Sequence, residues 1–249
     1  MKELSSYLGL CAEVYDLSKP KPPEDAYIFY RSYAVQLKGL ILEPMCGTGR
    51  FLLPLLEEGF NVHGVDGSDY MLQRLHVKAK AANLNPTVWK GYAEDLKRQE
   101  KYNLIFIPSG SFCLITEKAA VRSMLKVFYD HLSDKGILLF EAETLKAVPQ
   151  TNIWRESIWH KSNGQIIALS QLATFKDNVC NSICKYELLD HNNIIHTEIE
   201  ELRVRIYDSD ELTQILKSCG FQNVKVIKAF DVNRKPDIND ESIVYECRK

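Results

Sequence analysis

The residues whose types and spacing could do chemistry lie between Leu40 and Asp66. Glu43 stands four residues before Gly47. Gly47-Thr48-Gly49 makes a tight turn, and a backbone without Cβ atoms can approach a ligand closely. Asp66 closes the stretch. The elements around these residues can be read from the pattern. Leu40 to Leu42 is the short apolar run of a buried parallel strand ended by Glu43. Arg50 to Glu58 reads as a helix with Gly59 as its C-cap. Phe60 to Val65 reads as a second strand with Asp66 at its carboxyl end. In an open α/β sheet, ligands bind at the carboxyl ends of the strands, so the turn and Asp66 should face one crevice. A carboxylate there suits the two hydroxyls of a ribose.

Two cofactor classes use such a turn. A dinucleotide site wants G-x-G-x-x-G, and here Leu52 stands where the third glycine would be. An acid just before the turn is poorly placed beside a pyrophosphate and well placed beside an ammonium. A ligand with a ribose at one end and an amino acid at the other fits better, which describes S-adenosylmethionine.

Glu43 to Gly49, read as EPMCGTG, resembles the first motif of the class I S-adenosylmethionine-dependent methyltransferases, E-x-G-x-G-x-G. Gly64 to Leu72, read as GVDGSDYML, resembles their second, G-x-D-x-S-x-x-M-L. Gly91-Tyr92-Ala93-Glu94-Asp95 is similar to the G-D-A-E-D that follows the third strand. The resemblance runs from about Tyr7 to the C-terminus. It departs at Met45, where the family has glycine, at Gly67, usually an apolar residue packed on adenine, and at Tyr92, usually aspartate. Met71 could supply the contact missing at Gly67. The resemblance implies S-adenosylmethionine as cofactor and S-adenosylhomocysteine as product. The cofactor set it implies is Tyr15, Arg31, Glu43, Met45, Gly47, Gly49, Arg50, Asp66, Gly67, Met71, Ala93, Glu94, Pro108 and Ser109. Within it, Ala93 and Glu94 are expected at the adenine edge.

The totals set limits. The chain has 249 residues and a hydrophobic fraction of 45%, enough for one large α/β domain. No apolar run reaches the roughly 18–20 residues of a membrane span. The start MKELSSYLGL lacks the basic, apolar and cleavage regions of a signal peptide. Seven cysteines without a repeating spacing point to a reducing, cytoplasmic setting. A net charge of −2 disfavours a nucleic-acid partner, which would call for a basic excess. Cys180 with Cys184, and His191 with His196, lack the tight pairing of a zinc site, so no metal is expected.

Helical spacing predicts Leu4 to Leu17, a stiff Pro-rich break at Lys19 to Pro23, and a second helix from Glu24 to Leu37. Tyr27 and Tyr30 read as docking residues. Tyr15, Arg31 and Tyr33 read equally as docking or site residues. Further helices are expected over Asp69 to Ala82 with Ser68 as N-cap, Thr116 to Leu132 capped by Thr116, and Ser209 to Cys219 capped by Ser209. Strands are expected at Thr87 to Lys90, Tyr102 to Ile107 and Gly136 to Glu143. A closing hairpin is expected at Val224 to Phe230 and Ser242 to Cys247. From about Asn152 to Arg205 the chain alternates polar and apolar, broken at Ser162 to Gly164, Lys176 to Asn178 and Asp190 to Asn193. That predicts three or four antiparallel strands inserted before the last helix.

The expected fold is α/β: a Rossmann-like, mostly parallel methyltransferase sheet with one antiparallel strand, N-terminal helices and an inserted antiparallel β lid. The expected division is one domain over residues 1–249. It has a helical cap at 1–38, a cofactor-binding core at 39–150, the β insertion at 151–205, and a helix and hairpin at 206–249 that complete the core.

Methyl transfer from a sulfonium is an in-line displacement from an already activated donor. Alignment and exclusion of water suffice, so no fixed catalytic constellation is expected. The N-P-P-Y motif of many amide methyltransferases is absent, since the fourth strand runs into Pro108-Ser109-Gly110. Candidates for an acceptor pocket are Tyr33, Ser111, Phe112, Glu141, Trp154, Arg155 and Tyr207. Glu143, Trp159 and His160 stand beside them; a solvated strand end fits Glu141 and Glu143 at least as well, and a lone histidine such as His160 in an antiparallel strand is more often a surface or packing residue than a base. The leading expectation is methylation of a nitrogen or oxygen of a small molecule, with nitrogen favoured by the acids and aromatics. The insertion is read as a lid and as a homodimer element, with no membrane partner. A cofactor-binding regulatory protein without turnover, and a protein or RNA methyltransferase, remain as alternatives.

Overall fold

The computed structural model describes residues 4–191 and 193–249. Met1 to Glu3, part of the stretch read against a signal peptide, and Asn192, in an expected turn, lie outside them. Seven strands make the large sheet in the order β10-β11-β5-β4-β1-β2-β3. These are β1 (Ile41–Pro44), β2 (Val62–Asp66), β3 (Thr87–Lys90), β4 (Tyr102–Ile107), β5 (Leu132–Glu143), β10 (Asn223–Lys228) and β11 (Ser242–Arg248). β1 to β5 pair in parallel, and β11 runs antiparallel to both β5 and β10. The expected mostly parallel sheet with one antiparallel strand is thus present. Six helices accompany it: α1 (Gly9–Ser18), α2 (Glu24–Leu37), α3 (Leu52–Glu57), α4 (Asp69–Ala81), α5 (Lys118–His131) and α6 (Ser209–Ser218).

The apolar runs of the central strands bury both faces because side chains alternate along a strand. Leu104 and Phe106 of β4 and Ile137 and Leu139 of β5 join one core with α2 and α3. Ile105, Ile107, Leu138 and Phe140 join the other, beneath Met124, Leu125 and Phe128 of α5 and Leu212 and Leu216 of α6.

The insertion forms four antiparallel strands, β6 (Trp154–His160), β7 (Ile166–Lys176), β8 (Val179–Asp190) and β9 (Asn193–Arg205), in that order. One face of this small sheet packs Ile167, Cys184 and Tyr186 on Leu10 and Val14 of α1. At roughly 1.5–3 kcal/mol per fully buried large apolar side chain, that one cluster is far weaker than the two cores of the large sheet. The large sheet therefore holds most of the buried apolar packing, and α1 is the element on which the small sheet docks.

Four helix starts differ from expectation, the simplest being α3, which begins at Leu52 rather than Arg50. α1 begins at Gly9 rather than Leu4, and its N-cap Leu8 offers no side chain to the free amides. Carboxylates of β9 serve instead: Glu200 accepts from Tyr7 at 2.7 Å and Leu8 at 2.8 Å, and Glu198 from Leu10 at 2.7 Å. α5 begins after Glu117 with no side-chain cap, because the Thr116 hydroxyl donates to Glu117. Asp208, not Ser209, caps α6, accepting from Asp210 and Glu211 at 3.0 and 2.9 Å. Ser68 caps α4 as expected, accepting from Met71 at 3.2 Å.

Candidate functional site

β1 and β2 run side by side to Pro44 and Val65, which brings the turn after one strand beside Asp66 on the other. Asp66 accepts the Gly47 amide at 2.7 Å and the Ser68 amide at 2.8 Å. Burial raises its carboxyl above the ordinary range, offset in part by those two amides. A Cβ on Gly47 would meet only Met71 Sδ, at 3.9 Å, so the space over the turn is open. Gly49 is glycine for a different reason. Its Cβ would stand 2.9 Å from Leu75 and 3.0 Å from Leu53, so it permits helix packing rather than ligand approach. Met45 keeps a left-handed backbone, φ 55°, that glycine would adopt without cost.

A cavity of about 460 Å³ opens here. Of the expected cofactor residues, Tyr15, Met45, Gly47, Asp66, Gly67, Met71, Ala93 and Glu94 line it, and of the acceptor candidates Ser111 does. Glu43 lies beneath the turn, 2% exposed, with Oε2 lacking any partner. Burial drives its carboxyl well up, with the Arg50 guanidinium and a Leu52 backbone bond pulling it down. A buried carboxylate oxygen with no donor is costly unless a ligand supplies one, and an ammonium would. Arg50 is buried too. It bonds Ser109 Oγ and lies 5.4 Å from the centroid of the Tyr15 ring.

α1 is tied down beside the turn. Asp16 accepts Arg74 Nε and Lys78 Nζ of α4, both at 2.7 Å, and Lys78 also donates to Thr48 at 2.9 Å. Burial raises the Asp16 carboxyl, but the bonds from Lys78, Thr48 and Arg74 together hold it below its ordinary value. The tether keeps Tyr15 over the cavity.

Several expected residues stand elsewhere. Arg31 pairs with Glu58 on the outer surface. Tyr33 donates to Glu246 of β11 at 2.6 Å within the core. Phe112 is fully buried and stacks on Phe140 at 4.1 Å. Trp154 alternates onto the outer face of the small sheet, 55% exposed, and Arg155 onto the face that carries Gln171, Cys184 and Glu200. Tyr207 acts behind the wall: its hydroxyl donates to the Ile115 carbonyl. Glu141 is occupied, since its Oε1 accepts the Tyr30 hydroxyl and the Ser109 amide, each at 2.8 Å. It braces the loop after β4, in which Pro108 is buried and Ser109 has φ 61°. In each case a hydrogen bond or strand alternation decided the placement, and neither can be counted from residue type.

The cavity also has walls that the sequence pattern did not single out. Leu4 and Tyr7 cover it from the N-terminal segment, Ile115 and Thr116 from the connection to α5, and Arg203 from β9. The only signal in the chain for these was the apolar character of Leu4 and Tyr7, which read as helix packing. Among the described residues no group of three or more His, Cys, Asp or Glu is arranged to hold a metal, and no helix is long and apolar enough to cross a membrane.

Residues 41–136 match the family described as "Methyltransferase domain". YqeM of Bacillus subtilis (strain 168), a protein named as a methyltransferase, is 24% identical over 239 residues, spanning 96% of this chain and 95% of its own. Among solved structures, an S-adenosylmethionine-dependent methyltransferase from Clostridium acetobutylicum ATCC 824 superimposes with a TM-score of 0.79 at 20% identity, over 95% of this chain and 96% of its own. The sugar N-methyltransferase KedS8 from Streptoalloteichus sp ATCC 53650 gives 0.76 at 15% identity, over 100% of this chain and 97% of its own. At these identities the structures speak for the fold, while the matched domain and the curated relative speak for the chemistry. Residues 41–136 thus carry a methyltransferase domain, and the doubly wound sheet, the open glycine turn beside Asp66 and the buried Glu43 with its unpartnered Oε2 share the fold of the class I S-adenosylmethionine-dependent methyltransferases.

Proposed function

We propose that this enzyme methylates a nitrogen of a small molecule that carries a cationic amine. The observation that carries the reading is the polarity of the cavity. Glu117 and Glu201 stand at its wall against one guanidinium, Arg203, which lies 3.9 Å from Glu117 and leaves Glu201 in excess, and Tyr7 and Tyr15 supply aromatic surface. Carboxylates beside aromatic rings suit an ammonium. The sugar N-methyltransferase name of KedS8 points the same way. An oxygen acceptor is the weaker form of this reading.

When bound, S-adenosylmethionine supplies an electrophilic methyl group. The roles assigned to this chain are binding and alignment. Asp66 takes the ribose hydroxyls, and Glu43 the α-ammonium. Tyr15, Arg50 and Ser109 border the methionine end, and Gly67, Met71, Ala93 and Glu94 the base. Ser111 faces the acceptor. Holding the two reactants in line supplies several kcal/mol without covalent catalysis. An amine attacks as its neutral form, and nearby carboxylates can take up the released proton.

The same reading takes residues 151–205 as a lid and as the contact surface of a homodimer. Trp154, Ile158, Ile183 and Ile199 are exposed on its outer face and support that contact. Seven free thiols support a reducing, cytoplasmic setting.

Calorimetric titration with S-adenosylmethionine, S-adenosylhomocysteine and NAD tests the cofactor assignment. Micromolar binding of the first two alone is expected. Screening amines, amino sugars and phenols for release of S-adenosylhomocysteine then tests the acceptor. Turnover confined to phenols or to protein would overturn the amine reading.

A further inference from the structure

Gly67 and Tyr92 are departures from the family pattern that lie far apart in sequence and touch in space. A Cβ placed on Gly67 would stand 3.0 Å from Tyr92 Cε1 and 3.4 Å from Cδ1. Gly67 is not among the residues with a left-handed φ, so the backbone does not require glycine there. The ring of Tyr92 does.

The backbone that carries that ring is fixed by two hydrogen bonds. Gly91 donates to the Asp66 carbonyl at 3.0 Å, tying the ends of β2 and β3 together. Tyr92 then caps a short 3₁₀ turn, its carbonyl accepting from Asp95 at 3.0 Å. Both residues line the cavity, as do Asp66 and Met71.

We propose that Gly67 and Tyr92 form an exchanged pair in which the tyrosine ring, reaching over the glycine from the neighbouring strand end, is the surface on which the cofactor's adenine stacks. The inference rests on the S-adenosylmethionine reading of the cavity and adds a specificity-determining residue to it. The physical logic is one of volume. An apolar side chain after Asp66 and a ring at position 92 cannot share that space, so each excludes the other. An aromatic face gives a purine more contact than an aliphatic side chain does, and Met71 can close on the other side.

The test is a cycle of variants titrated with S-adenosylhomocysteine and with adenosine, the part of the ligand that would touch the ring. Tyr92→Ala should weaken both ligands roughly 10- to 100-fold, the scale of losing one base–aromatic stack, whereas Tyr92→Phe should keep affinity within about threefold because the face remains. Gly67→Ile should weaken binding alone by displacing the ring. Combining it with Tyr92→Ala should recover affinity above either single variant, since the aliphatic side chain then has room. The midpoint of thermal unfolding without ligand should stay within about 4 °C throughout, for changes at a half-exposed wall below ~1 kcal/mol. Wild-type affinity in Tyr92→Ala, or strictly additive losses in the double variant, would overturn the pair while leaving the cofactor reading intact. Failure of the wild-type protein to bind either ligand would overturn both.

Discussion

Glu200, in the last strand of the insertion, accepts the backbone amide of Leu8 at 2.8 Å, across 192 residues of chain. The same carboxylate takes Tyr7 N–H, and Tyr7 and Leu4 border the cavity. The insertion therefore fixes a segment that borders the cavity. Burial raises the Glu200 carboxyl, an effect the two amides only partly offset. Glu200→Ala should cost about 2–3 kcal/mol by stranding two amides at a helix start. Hydrogen exchange at Tyr7 to Leu10 should quicken and S-adenosylhomocysteine should bind more weakly. Unchanged exchange in that segment would show that the small sheet does not hold it.

Asp16 should give the tether between α1 and α4 a defined pH dependence. Its carboxyl lies below the ordinary 3.8 in the folded protein. Its contribution is therefore complete above the unfolded value and disappears as pH falls through the lower, folded one. Asp16→Asn should lower stability by about 1 kcal/mol at neutral pH, a figure reduced because Arg74 and Lys78 are about one-third exposed. Denaturant titrations of wild type and variant should converge as pH falls past the ordinary aspartate value and through the lowered, folded one. A gap that persisted in acid would assign the loss to packing rather than charge.

Asp66 braces the turn through Gly47 and Ser68, and the proposed function has it meet the ribose as well. Asp66→Ala should weaken S-adenosylhomocysteine binding by about 1–3 kcal/mol. Asp66→Asn, which keeps an acceptor, should lose less. Equal affinity in wild type and Asp66→Ala would remove the ribose assignment.

Met45 holds a left-handed backbone that costs a non-glycine residue roughly 1–2 kcal/mol. Met45→Gly releases that strain but frees the unfolded chain, at ~0.4–1 kcal/mol. A net gain of up to about 1 kcal/mol is expected in chemical denaturation. Clear destabilisation would mean that the thioether's contacts with its core neighbours outweigh the strain.

The amino-acid sequence by itself determined the large sheet, because its central strands are buried on both faces and announce themselves as apolar runs between turn residues. Thr87–Lys90 and Tyr102–Ile107 match their expected limits to the residue. It also determined the cofactor class, since Glu43, the glycine turn and Asp66 lie close in sequence, and backbone geometry carries local spacing directly into local structure. Tertiary structure alone decided which polar groups were already engaged. Glu141, Tyr33 and Arg31 could each have met a ligand, yet Tyr30, Glu246 and Glu58 hold them. It also decided that Glu200 would cap α1 and that Tyr92 would fill the space over Gly67. Those contacts join elements that lie far apart in the chain and meet only when helices pack on the large sheet and the small sheet docks on α1. No local pattern encodes a docking angle, so a hydrogen bond or a shared volume between distant segments becomes visible only once the chain is folded.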